Sequence, residues 1–132
     1  MQATIHATLE SAEDLILAFR REVEGRTPRF ERFTAELLLR EAVGNAVVHG
    51  CNCDAGKQVH CAIRLRGSRL IIAVWDEGQG FDWRALWQRA SQPDDVSGRG
   101  IEILRQFATR VRFSKKGNAI TIARKFTGAT HI

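Results

Sequence analysis

The stretch LLLREAVGNAVVHG, residues 37–50, decides the fold of this chain because its apolar and its polar residues both repeat with a helical period. Glu41, Asn45 and His49 recur every four residues, so they lie along one line of the helix. Leaving such a group unpaired in a core costs roughly 1 to 3 kcal/mol, so we expect the line to border a cleft. An ordinary exposed helix face would also account for any one of the three. The remaining face is broad and apolar and suits packing on a sheet: Leu37, Leu38, Leu39, Ala42, Val43, Ala46 and Val47.

The segments on either side predict the other elements. Before the stretch, residues 3–9 alternate between apolar and polar side chains and predict a strand. Ser11 is the expected N-cap of a helix that ends at about Glu24. Thr27-Pro28 is expected to begin the long helix, which runs from about Arg29 to Val48. After it, we expect strands at 58–66 and 70–75 joined by Gly67-Ser68, helices at 82–90 and 100–108, and a hairpin of strands at 110–114 and 119–126. The sum is an α+β fold, a two-layer α/β sandwich with helices on one face of a mixed, mostly antiparallel sheet.

Length and composition indicate one soluble domain spanning residues 1–132, with 44% hydrophobic and 27% charged residues. No run approaches the roughly 20 apolar residues of a membrane span, and no signal peptide is visible, so a cytoplasmic protein without a membrane partner is expected. Cys51, Cys53 and Cys61 are odd in number and predict reduced thiols rather than a disulfide framework. A zinc site with His49 and His60 is the less favoured alternative, because the spacing is unusual.

The net charge of +5 favours an anionic partner, either a nucleotide or nucleic acid. The basic residues are spread along the chain without the aromatic platform of a single-strand binder. We therefore interpret most of them as solvated faces and expect no direct nucleic-acid partner.

A second motif, Asp76-Glu77-Gly78-Gln79-Gly80-Phe81-Asp82, follows an apolar strand, at a common position for ligand groups. The Asp76 carboxylate could accept a hydrogen bond from the exocyclic amine of adenine, and Gly78 and Gly80 permit positive φ and close backbone approach. Taken alone, the motif is equally typical of a glycine-rich turn.

A third motif, Ser97-Gly98-Arg99-Gly100-Ile101, opens a helix, so free backbone N–H groups and the helix dipole create an anion site. Arg99 could add a charge-assisted bond to phosphate. The motif fits neither the Walker pattern nor the dinucleotide fingerprint.

Together and in this order, the three motifs resemble the N, G1 and G2 boxes of the ATPase superfamily (GHKL) of gyrase, the histidine kinases and MutL. The first motif has the form Glu-Ala-x-x-Asn-Ala-x-x-His-Gly, and the second contains Gly-Phe-Asp. In both respects the chain is most similar to the anti-sigma-factor serine kinases, the RsbW and SpoIIAB family. The resemblance implies the Bergerat ATP-binding fold over about residues 30–126.

The resemblance also implies roles for the motif residues. Asn45 would ligate Mg²⁺ bridging the phosphates of ATP, Glu41 would be the catalytic base, and Asp76 would read adenine. The other residues expected to contact the nucleotide are His49, Gly78, Gly80, Gly98, Arg99, Gly100 and Ile101, beneath a lid over about residues 82–97.

Two departures leave parts of this pattern open. Asn118 stands where relatives often carry Thr, although Thr121 could lie nearby, and Asp94-Asp95 would weaken phosphate attraction if they faced inward.

The implied function is an ATP- and Mg²⁺-dependent serine/threonine protein kinase. It would phosphorylate an anti-anti-sigma protein of the STAS type and sequester a sigma factor, usually as a homodimer. The alternative is a regulatory module that binds ATP or a partner with little or no kinase activity. A histidine kinase catalytic domain is less favoured, because the dimerisation helices and phospho-accepting His region are missing.

Overall fold

The computed structural model of this protein describes residues 1–25, 29–89 and 99–126. The strands are β1 (Gln2–His6), β2 (Gln58–Arg66), β3 (Arg69–Asp76), β4 (Arg110–Phe113) and β5 (Ala119–Lys125). The helices are α1 (Leu9–Val23), α2 (Arg29–Asn45), α3 (Trp83–Arg89) and α4 (Arg99–Phe107), and a π-helical turn, Ala46–Gly50, continues α2.

The five strands form one sheet in the order β1-β2-β3-β5-β4, and all four pairings are antiparallel. Hairpins join β2 to β3 and β4 to β5, while α3 and α4 connect β3 to the edge strand β4. The predicted α+β sandwich is confirmed, with one refinement: the described strands include no parallel pair, so their sheet is antiparallel rather than mixed.

The core lies between one face of this sheet and the helices α1, α2 and α4. Its largest fully buried apolar side chains come from all of these elements: Phe19, Ile16, Leu38, Leu39, Leu70, Ile72, Ile101, Leu104 and Ile122. Burying one such side chain contributes roughly 1.5 to 3 kcal/mol. The apolar face of residues 37–50 therefore packs in the core as its period predicts, and α2 carries Glu41 and Asn45 near its end.

A buried ion pair joins α2, β5 and α4. The Glu31 carboxylate is fully buried and Arg124 is 12% exposed, with Nε donating to Oε2 at 2.9 Å and the second guanidinium nitrogen donating to Oε1 at 3.3 Å. Arg124 also donates through Nη1 to the carbonyl of Phe107, at the end of α4, at 2.5 Å. One guanidinium thus holds the two helices that carry the first and third motifs.

The structure corrects two helix boundaries. Thr8, not Ser11, is the N-cap of α1, because its hydroxyl accepts the Ser11 backbone N–H at 3.1 Å. The α-helical part of α2 ends at Asn45 rather than Val48, and the chain widens into the π-helical turn there. The predicted helix start at Thr27-Pro28 and half of the predicted lid, residues 90–97, lie outside the described residues.

In the portion of the chain that the structure describes, no helix combines the length and apolar character needed to cross a membrane.

Candidate functional site

The end of α2 is reshaped by its π-helical turn, which is stabilised by a hydrogen bond of 2.9 Å from the Cys51 N–H to the carbonyl of Ala46, five residues earlier. Turns of this kind are frequent at functional sites. The wider turn places His49 on the surface, with its ring 5.4 Å from that of Phe81. It also brings Gly50 against the end of β3, where Asp76 lies.

Asp76 is enclosed by two glycines and is only 7% exposed. Its Oδ1 accepts the backbone N–H of Gly78 at 2.7 Å. A Cβ on Gly50 would lie 2.6 Å from Oδ2, and a Cβ on Gly78 would overlap the Gly50 carbonyl oxygen. Gly78 is therefore required by close backbone approach and not by a positive φ. Burial raises the pKa of Asp76, partly offset by the Gly78 hydrogen bond.

Cys51 is a site residue that the sequence interpretation missed. Its thiol is fully buried beside Asp76 and lowers the pKa of that carboxyl, while burial and the nearby carboxylate raise the pKa of the thiol. The signal available in the sequence was only its position directly after the His49-Gly50 pair.

A narrow cavity adjoins Asp76. Residues of α2 and its π-helical turn, of β3, β4 and β5, and of the turns around Phe81 and Gly117 line it: Ala42, Asn45, Ala46, Val74, Asp76, Phe81, Phe113, Gly117, Asn118, Ala119 and Ile120. As it stands, it offers about 10 Å³ to the centre of a water molecule, which is room for roughly one water. A planar base would therefore need a rearrangement of the residues that line the cavity.

Two turns interlock at the rim of this cavity. Gly80 has φ +84° and a Cβ there would overlap the Lys116 carbonyl oxygen, while Gly117 has φ +85° and a Cβ there would overlap the Phe81 carbonyl oxygen. Both positions need glycine for conformation and for space. The predicted importance of Gly80 thus has a structural cause, and Gly117 is its counterpart on the other turn.

Asn118, the departure noted in the sequence, lines the cavity and is bound to Asp76. The side-chain Nδ2 of Asn118 donates a hydrogen bond to the backbone carbonyl of Asp76 at 3.4 Å, and the backbone carbonyl of Asn118 accepts one from the Asp76 N–H at 3.0 Å. Thr121 cannot substitute for it, because Thr121 is exposed and pairs with Ala73 on the opposite face of the sheet. The expectation that Thr121 lies near the site is therefore wrong.

Glu41 and Asn45 are brought together with the start of α4. A Cβ on Gly100 would overlap Oε2 of Glu41 and lie 3.9 Å from Oδ1 of Asn45. Burial raises the pKa of Glu41. Among the residues that the structure describes, the buried Nδ2 of Asn45 has no hydrogen-bond partner. An unsatisfied buried amide costs about 1 to 3 kcal/mol, so this donor suits an acceptor oxygen of a bound ligand.

The third motif is placed only in part. Gly98 lies outside the described residues, and for Arg99 only the backbone, as the first residue of α4, is described. The Ile101 side chain is 1% exposed and packs in the core. Any ligand contact by Ile101 would therefore come from its backbone.

The donor set suits a metal only together with other ligands. Among the residues that the structure describes, no three or more His, Cys, Asp or Glu side chains come together to hold a metal ion. The zinc alternative gains no support, since Cys51 and Cys61 are buried, Cys53 is exposed, and all three are free thiols. Mg²⁺, which commonly binds one or two protein oxygens and completes its shell with phosphate and water, would be held here by Asn45 Oδ1, whereas Nδ2 of the same side chain is a donor and suits a phosphate oxygen.

The chain is similar in sequence to an ATPase domain family and to two anti-sigma factors. Residues 5–124 match the histidine kinase-like ATPase domain. Anti-sigma F factor of Clostridium acetobutylicum is 30% identical over 100 residues, 69% of this chain and 68% of the relative. Anti-sigma F factor of Shouchella clausii is 30% identical over 90 residues, 64% of this chain and 62% of the relative.

Among solved structures, the histidine kinase domain of the blue-light activated histidine kinase from Erythrobacter litoralis EL346 aligns with a TM-score of 0.59 at 16% identity. The alignment covers 89% of this chain and 60% of that one, so this chain spans under two thirds of its length. At this identity the likeness concerns the fold.

Proposed function

The chain belongs to the histidine kinase-like ATPase domains and, within them, to the anti-sigma-factor kinase family, and on this premise we propose that it is a serine/threonine protein kinase. It transfers the γ-phosphoryl group of ATP to a hydroxyl of an anti-anti-sigma protein of the STAS type, and it sequesters a sigma factor. The proposal depends on one observation above all: Glu41 and Asn45 meet the start of α4 beside the cavity of Asp76.

The adenine end of the nucleotide is assigned to the cavity of Asp76. The Asp76 carboxylate accepts a hydrogen bond from the Gly78 N–H and keeps further lone pairs. It can therefore also accept a hydrogen bond from the exocyclic amine of adenine. Gly50, Gly78 and Cys51 surround the carboxylate and fix its direction. Phe81 and Phe113 supply apolar surface for the ring once the residues that line the cavity rearrange.

The phosphate end is assigned to α4 and Asn45. The backbone N–H groups of the first turn of α4, including Gly100, have no partner within the helix and attract anions. Asn45 would hold Mg²⁺ through Oδ1 and leave Nδ2 to donate to a phosphate oxygen, which would satisfy the orphaned amide. When bound, Mg²⁺ supplies charge neutralisation between the phosphates.

Glu41 is assigned the role of general base toward the substrate hydroxyl. Burial raises its pKa, so its ionised form accepts a proton more readily than an exposed carboxylate would. Phosphoryl transfer relies mainly on positioning and electrostatics, so the close packing of Glu41 against Gly100 is part of the mechanism.

The test separates binding from chemistry. Asn45→Ala is expected to abolish Mg²⁺-dependent ATP binding, measured by calorimetry, whereas Glu41→Ala retains binding and loses γ-phosphate transfer from labelled ATP to candidate STAS proteins. Glu10→Ala removes an exposed carboxylate on α1 and serves as the control with unchanged binding and transfer. Equal loss of binding in the Asn45 and Glu41 variants would contradict the assigned roles. ATP binding without transfer to any candidate would favour the binding module.

We also propose that the protein acts as a homodimer, as its family suggests. Light scattering coupled to gel filtration measures this directly, and a monomer at all concentrations tested would refute it.

A further inference from the structure

The sheet face opposite the helices carries a concentration of positive charge that the nucleotide site does not use. On this face, which none of the described helices covers, lie six exposed cations: Arg64, Arg66, Arg69, Arg110, Arg112 and Lys125. No Asp or Glu of β1 to β5 points outward with them, since Asp76 is buried on the other side. Without these six cations the formal net charge of the chain would change from +5 to −1. The positive charge on this face thus exceeds the net charge of the whole chain.

The strand register makes this arrangement costly for folding. Arg69 lies directly opposite Arg66 on β2 and directly opposite Lys125 on β5. Like charges at opposite positions of an antiparallel pair destabilise the sheet. Folding alone gives no reason to keep three cations in one row without an acid between them, which points to an anionic partner.

The middle of the same face is mostly apolar, with Thr121 as its exposed polar residue. Its apolar residues are half-buried: Ala62, Ile71, Ala73, Ala119 and Ala123. An apolar centre with a charged rim rich in Arg is the usual anatomy of a protein interface. Glu22 lies beside Arg64 and Arg66 in a cleft at the edge of β2, and is not on the face.

We propose that this uncovered sheet face docks an acidic amphipathic segment of a partner protein. Carboxylates of the segment pair with the Arg and Lys rim, and its apolar side chains cover the Ala and Ile centre. A second copy of this chain is disfavoured as the occupant because two such faces would repel each other. Nucleic acid is disfavoured because the centre offers phosphates no partner, and Trp75, the exposed aromatic ring on this face, already stacks on His60.

Three probes distinguish these occupants by fluorescence anisotropy, without ATP. They are a 20-residue peptide with Glu and Leu at helical spacing, a polyglutamate of the same charge, and a single-stranded oligothymidine of the same charge. We expect the amphipathic peptide to bind at least tenfold more tightly than either of the others, with an affinity that falls as salt rises. Tighter binding of the oligothymidine, or no binding of the peptide, would overturn the proposal.

Matched variants locate the binding surface. Arg66→Glu, Arg69→Glu and Lys125→Glu together should weaken peptide binding at least tenfold. Arg21→Glu, Arg84→Glu and Lys115→Glu change the net charge equally at exposed positions off the face and should weaken it less than threefold. Equal effects of the two sets would mean that only net charge matters, and the docking face would be rejected.

Three single variants separate docking on this face from misfolding and from catalysis. Arg69→Glu places an acid between two cations, so it should raise the urea midpoint of unfolding while weakening peptide binding. Ile71→Ala should weaken the amphipathic peptide threefold or more and leave polyglutamate unchanged. Glu41→Ala should alter neither affinity, so failure of the kinase proposal and failure of the docking proposal give different results.

Discussion

Breaking the buried pair of Glu31 and Arg124 should be among the most destabilising changes possible in this protein. Arg124→Met would leave a fully buried carboxylate without its two guanidinium hydrogen bonds and would leave the Phe107 carbonyl without its 2.5 Å donor. Removing one partner of a buried pair costs about 3 to 5 kcal/mol. That is a large fraction of the roughly 5 to 15 kcal/mol that holds a typical domain folded.

The reverse single variant should cost less. In Glu31→Leu, Arg124 keeps its bond to Phe107 and, being 12% exposed, keeps some contact with water. We therefore expect a loss toward the lower end of the same range. The double variant Glu31→Leu, Arg124→Met replaces both charges by apolar groups and should recover most of the loss, because replacing a whole buried pair is often nearly neutral.

Urea unfolding followed by far-ultraviolet circular dichroism measures this double-mutant cycle. With an m-value of roughly 1 to 3 kcal/mol/M, Arg124→Met should lower the midpoint by about 1 M or more. Additive losses in the double variant, or a loss below about 1 kcal/mol in Arg124→Met, would refute the reasoning, because the pair would then contribute no more than an exposed one.

Two further predictions concern Glu41. Burial raises the pKa of Glu41 above its ordinary value of 4.5, so the folded state holds this proton more tightly than the unfolded chain does. The stability of the wild type therefore falls as the pH rises from below 4.5 through the raised pKa. Glu41→Gln should therefore gain stability over wild type at pH 7 but not at pH 4, and an equal difference at both pH values in urea titrations would contradict this. Gly100→Ala should displace the Glu41 carboxylate and reduce phosphotransfer, while it changes the free energy of unfolding by less than about 1 kcal/mol. The control Gly44→Ala has open space around its Cβ, so it should leave transfer unchanged and stabilise the fold by roughly 0.4 to 1 kcal/mol. Unchanged transfer in Gly100→Ala would remove the proposed link between α4 and the base.

Local sequence patterns were enough to predict most of the fold. The apolar period of residues 37–50 predicted α2 and its buried face, and the alternating segments predicted both hairpins within about one residue at each end. They succeeded because burial of an apolar stripe and turn chemistry are local properties of the chain. They failed at helix boundaries that depend on the three-dimensional structure, namely the N-cap at Thr8 and the π-helical turn after Asn45.

The sequence predicted which residues belong to the candidate site but not how they are arranged in space. The sequence identified Glu41, Asn45 and Asp76 as polar groups in apolar surroundings. It could not reveal that Gly100 packs on Glu41, because the two are separated by 59 positions and meet only when α4 docks on α2. The role of Cys51 beside Asp76 was missed for the same reason.

The sequence by itself thus determined which helices and strands form, in what order, and which polar residues break their apolar faces. Only the tertiary structure decided which of these residues meet. It buried Asp76 between Gly50 and Gly78, and it gathered cations from β2, β3, β4 and β5 on one face of the sheet. The physical reason is that side-chain direction follows from the local period, whereas contact, burial and the field of neighbouring charges depend on strand order and register, which distant segments set together.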